Sequence, residues 1–367
     1  MFGSRTRSIL ALAAVAAVGS ACESGTGPED RMTFDAEAAL ANHEAMALIL
    51  QSDAMEGFRA LGGGVSFQGV APEAAFALGA GRALDNSLRG GNAEKLGARL
   101  FTAWSQLGGA PSHAPIISQF RRGKTFVYDP EVGHYVMDSE IPGAPATGVR
   151  FILYQPGSDG KPDPANEVGH ADLIDEGDGS EEDIALRLVV IEGTDTILNY
   201  RTTLDVRESG GEITVSGFFQ GEFDRLDFDI VVTGSDDDGG ETVDISFEMG
   251  IAERDFLIQG SVFGTESDSG EGGEIALLVE HGEDSFSVAA IGTDDSISGT
   301  VHLNGALFAN ITGDPDDPTI TGATGEALTF IEMLVLRQII DSTEDVFDFW
   351  EDLLDPVDEL VLLAFIL

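Results

Sequence analysis

The chain has 367 residues and a net charge of -46, from 65 Asp and Glu against 19 Lys and Arg. Hydrophobic residues make up 43%, enough for a buried core, so the composition excludes wholesale disorder. The charge excludes nucleic acid as a partner, because no basic patch supplies the electrostatic footprint, and it repels the body from anionic lipid surfaces.

Residues 1–21 hold Arg5 and Arg7, an apolar run from Ile9 to Val18, and then Gly19, Ser20 and Ala21. The run is too short to span a bilayer as a helix. Cys22, the only cysteine, follows directly. A positive start, a short apolar run and small residues before the cut mark an export signal. With Cys22 next, the segment resembles a bacterial lipoprotein signal, although Gly19 stands where that signal favours leucine. The resemblance covers about the first thirty residues and implies that Cys22 is lipidated. The expected location is the cell envelope, with the chain held by lipid to the outer membrane or cell surface. Residues 22–33 then serve as the lipidated cysteine and a flexible tether. One cysteine permits no internal disulfide, so the fold rests on its core.

Residues 34–122 read as a helical, Gly- and Ala-rich N-terminal region. Phe34, Ala38, Ala41, Ala45, Leu48 and Met55 recur at helical spacing, which predicts an amphipathic helix over 34–60. Leu96, Leu100, Phe101 and Trp104 suggest a second helix.

From residue 123 the period changes to two. Val243, Ile245, Phe247 and Met249 alternate with Thr242, Asp244, Ser246 and Glu248. Leu226, Phe228, Ile230 and Val232 alternate with acids in the same way. One apolar and one wet face is the pattern of antiparallel sheet. Further strands are predicted at 125–128, 134–138, 148–154, 184–191, 196–206, 212–220, 256–262, 275–279, 286–290, 301–303 and 307–311. Acidic, Gly-rich connectors such as SDDDGG at 235–240 separate them. The expected fold is mainly β with flanking helices: a large, curled antiparallel meander of about twelve strands, since an open sheet that wide must curl or split.

Residues 325–340 are apolar on nearly every side and predict a helix packed on the concave face of the sheet. Ser342 and Asp345 begin a second helix over 343–354, and a third follows Pro356 to an apolar end. The whole of 123–367 is expected to form one β domain with C-terminal helices.

Motifs for chemistry are sparse. Gly123-Lys124-Thr125 ends like a phosphate-binding loop, but Ser118 replaces the required glycine and a strand follows. The acidic turns lack the ligand spacing of calcium loops; Gly240 stands where a third ligand belongs after Asp236 and Asp238. The six histidines form no metal-binding pair, and His170 with Asp172 is the one sequence-local acid–base candidate. No nucleophile motif accompanies it. The expectation is therefore a non-enzyme without metal or cofactor. It binds or carries an apolar small molecule or lipid, with Phe330, Leu334 and Ile339 as lining residues. A non-catalytic envelope interaction module without a ligand cavity is the alternative, and a hydrolase with a site assembled from distant residues the second. Nothing in the chain specifies an oligomeric state.

Overall fold

The computed structural model describes residues 117–336, apart from 178–182, 208–209, 222–223, 238–239, 268–269, 294, 316, 331 and 334–335. Cys22, the tether, the predicted helices before residue 117 and those after 340 lie outside the described residues. So do Leu334 and Ile339.

The described residues form one open sheet of fifteen strands. In chain order these are β1 (Lys124–Asp129), β2 (His134–Asp138), β3 (Gly148–Pro156), β4 (Pro162–Asp175) and β5 (Asp183–Glu192). Then come β6 (Asp195–Arg207), β7 (Gly210–Gln220), β8 (Arg225–Asp237), β9 (Gly240–Ile251) and β10 (Phe256–Ser267). The series ends with β11 (Gly270–His281), β12 (Asp284–Thr293), β13 (Ser296–Leu303), β14 (Ala306–Asp314) and β15 (Asp317–Gly322). From β3 to β15 every strand pairs antiparallel with the next, so the chain is a meander. The turns explain why: most connections are two to four residues long, and such links can join only antiparallel neighbours. Asn304 and Gly305 close the β13–β14 hairpin with φ of 48° and 72°, the twist that two-residue hairpin turns require.

Period two sets the faces. Phe228, Ile230, Ile245, Phe247, Met249, Phe256 and Ile258 are buried on one side, while Asp227, Asp229, Asp244 and Glu248 are exposed on the other. Cross-strand register keeps these sets aligned: Ile230 faces Phe247, and Phe228 faces Met249. The apolar side continues as a single core cluster from Phe126 to Ile311. At its β1–β3 end it is aromatic, with Phe126 stacked on Phe151 at 5.2 Å and Tyr135 edge-on to Phe151 at 5.9 Å. The Tyr135 hydroxyl is buried there and donates to the Ile152 carbonyl at 2.9 Å. Burial, followed by Tyr154 and Tyr128, pushes its pKa up.

The strand count exceeds the expected twelve. β4 carries two prolines and two alanines, and β15 is six residues with Pro318, so neither announces itself by alternation. Pairing overrides weak local preference at both. One pair also departs from the antiparallel rule. β2 is the sheet edge, and the connection 139–147 returns past β1 to β3, leaving β1 parallel to β3.

At the C-terminal side, helical backbone begins at Phe330, five residues later than the periodicity predicts. Thr329 and Glu332 form a reciprocal cap: the Thr329 N–H donates to Glu332 Oε2 at 2.7 Å, and the Glu332 N–H to Thr329 Oγ1 at 3.3 Å. This is the S/T-x-x-E signature, and it overrides apolar spacing as the start signal. Ala327, just before it, bridges Thr321 of β15 instead. Leu336 is buried and belongs to the core cluster, and Leu328 packs against it.

Candidate functional site

The polar side of the sheet carries an open groove of about 620 Å3 over β7 to β10. Its walls include Ser216, Asp227, Asp229, Glu248, Asp255 and Leu257. Strand register builds it. Ser216, Asp229, Glu248 and Gln259 form one cross-strand row over four strands. In the next row Gly250 sits between Asp227 and Leu257, and its missing side chain opens the floor.

The electrostatics are one-sided. Asp229 and Glu248 stand directly opposite each other, a like-charge pairing that costs stability. Burial, followed by Glu248, pushes the Asp229 pKa up. The nearby guanidiniums are already engaged. Arg225 binds Asp227 at 2.6 Å and lies 3.8 Å over the Phe218 ring, while Arg254 binds Asp224 at 2.8 Å. That bond, with the Asp224 charge, holds the Arg254 pKa up. Among the described residues no cation forms an ion pair with Asp229 or Glu248. Glu248 instead accepts from Gln259 Nε2 at 2.6 Å. The groove suits contact with positively charged groups, and its serine has no histidine in the lining to activate it.

A second polar cluster lies on β3 and β4. Arg150 Nε and Nη2 donate to Asp172 Oδ1 and Oδ2, each at 2.7 Å. His170 Nε2 is 3.9 Å from Asp172 Oδ2, too far for a hydrogen bond. The sequence pairs His170 with Asp172, and the fold does bring them together. Asp172, however, is bound by Arg150 and does not orient the imidazole as a catalytic base. Nearby, Tyr154 is pushed up to about 12, chiefly by burial and then by Glu167 and Asp138.

Other sequence candidates fall elsewhere. Lys124 begins β1, so the phosphate-loop fragment runs into a strand. Asp237 and Gly240 pair across the β8–β9 hairpin turn. Phe330 is 77% exposed at the first helical residue, with Met333 37% exposed beside it. Among the described residues no group of three or more His, Cys, Asp or Glu side chains could hold a metal ion. No helix among them is long and apolar enough to cross a membrane, which leaves strand-built spans unaddressed. The groove itself was half legible: alternation exposes Asp227, Asp229 and Glu248, but only register shows that two of them face each other.

Comparison with family models, curated proteins and solved structures finds no match.

Proposed function

We propose that this chain is an exported envelope protein, tethered by lipid on Cys22, that works by non-catalytic binding through the wet face of its sheet. The observation behind this reading is the division between the two faces. The apolar face is a continuous buried cluster, whereas the groove opens on the polar face, where Asp229 and Glu248 form no ion pair among the described residues. A tethered module with an acidic groove meets soluble or surface-borne partners bearing positive groups, while the tether keeps an acidic body near a membrane that would otherwise repel it.

Fifteen strands do not stay flat, so we also infer that the sheet curls around its apolar face, with the apolar C-terminal run as part of its cover. Buried Leu336 supports that placement. It also favours the second reading, a carrier whose apolar small molecule or lipid shares the concave face with Phe330, Leu334 and Ile339. Native mass spectrometry of the purified full chain separates the two. Co-purified lipid would establish the carrier; a bare chain that binds a lysine-rich peptide, and loses it on Asp229→Lys, would establish the interaction module. Failure of both would refute the binding function.

A further inference from the structure

One buried nitrogen among the described residues is unsatisfied: His170 Nε2 is shut off from solvent and has no hydrogen-bond partner. Its charged neighbour, Asp172 Oδ2, lies 3.9 Å away and already accepts from Arg150 Nη2. Asp172 is itself 7% exposed. The Arg150–Asp172 pair reaches beyond the two strands. The Arg150 guanidinium lies close against Gly143, where an added Cβ would come within 2.9 Å of Nη1. Beside it, Thr125 of β1 donates to the Ile141 carbonyl at 3.0 Å. These contacts fasten the connection 139–147, which carries the chain from the sheet edge back to β3.

We propose that His170 makes this fastening proton-sensitive. With the ring neutral, Arg150 holds Asp172 and the connection stays clasped. A proton on Nε2 places two cations on one buried carboxylate, weakens the hold of Arg150 and loosens 139–147. The groups around the ring are Arg150 on β3 and Asp172 and Glu167 on β4. Across the strand pair, β5 sets Ile191 opposite His170 and Val189 opposite Asp172, with Glu192 next along. Glu140 lies within the connection. Burial, followed by Arg150, lowers the imidazole's proton affinity, and Asp172 and Glu167 oppose that only in part. The sign follows from linkage. A histidine whose folded pKa is lowered contributes stability that is complete above the ordinary value of about 6.5, and it is lost as pH falls below that value.

The test is amide hydrogen exchange on the full chain at pH 7 and pH 5, corrected for intrinsic rates. Peptides covering 139–156 and 162–175 should lose protection by roughly threefold or more at pH 5, while those from β9 and β10 hold theirs. His170→Gln should remove the difference. Equal loss in His170→Gln, or no loss in the wild type, would overturn the proposal. Should that variant not fold, an NMR titration of the wild-type ring decides: a midpoint below about 6.5 supports the clasp, and one at or above it refutes it.

Discussion

Gly260 and Phe247 offer a sharp test of the sheet's register. They face each other across β9 and β10 on the apolar side, and the Phe247 ring lies over the bare Gly260 backbone. A Cβ at Gly260 would fall inside the van der Waals envelope of that ring. Phe247 is 8% exposed, so truncation removes nearly a whole buried aromatic. An aromatic side chain buries about 150–250 Å2, which at about 25 cal/mol per Å2 gives roughly 4–6 kcal/mol. That is an upper bound, and Phe→Ala changes in cores cost about 3–5 kcal/mol. Gly260→Ala alone should cost about 1–3 kcal/mol by overpacking. In the Phe247→Ala background the new methyl meets a cavity instead of a ring, so its cost should vanish or reverse. The double-mutant cycle should therefore show coupling of at least about 1 kcal/mol. Urea titration with an unchanged slope is the assay. Additivity within about 0.5 kcal/mol, or a Phe247→Ala loss below that, would show that these two residues do not meet across the strands.

Three further outcomes follow from charge and targeting. Asp229→Asn should stabilise the fold at neutral pH by a few tenths of a kcal/mol, because it removes a charge disfavoured first by burial and then by repulsion from Glu248. Since the folded pKa of Asp229 is raised, its unfavourable contribution grows as pH rises above the ordinary carboxylate range, so the gain should shrink in acid; a gain that persists unchanged at pH 3 would count against the pair. Raising salt from low ionic strength to 1 M should lift the unfolding midpoint, as a charge of -46 is screened over a few Å; a flat midpoint would mean that self-repulsion contributes little to the stability of the fold. Cys22→Ser should release the chain from membranes in a fractionation assay, and retention with the signal removed would refute the lipid anchor.

The sheet was legible where alternation was strict. From β8 to β11 the apolar positions predicted by period two are the ones that face the core, with Ile245, Phe247 and Met249 all buried. It was illegible where pairing, and not side-chain pattern, makes the strand. β4 reads PDPANEVGHADLID, and only the ladders from β3 and β5 hold its second half extended. The parallel β1–β3 contact was invisible for a different reason: each strand reads the same whichever neighbour it takes, and the connection 139–147 alone decides. The site was the least legible part. Asp229 and Glu248 lie nineteen residues apart, and no spacing rule joins them until the β8–β9 turn fixes which pairs with which.

Register also explains how so acidic a sheet holds together. One cross-strand row on the wet face runs through Val231, Ser246, Ser261, Ala276, Ala289 and Thr300, from β8 to β13, without a single charge. The rows on either side hold the carboxylates: Asp229 and Glu248 on one, Asp244 and Glu274 on the other. Residues two apart on a strand are separated by about 6.6 Å, so an empty row keeps the charged rows about 13 Å apart. That exceeds the screening length of about 8–10 Å at moderate salt. Repulsion between these two rows is then largely screened, and the cost that remains comes from carboxylates directly opposite within a row or, like Asp227 beside Asp229, one row apart at about 6.6 Å. Asp229 opposite Glu248 is one such pairing, and Asp205 opposite Glu212 across β6 and β7 is another. A positively charged partner in the groove would relieve the repulsion between Asp229 and Glu248.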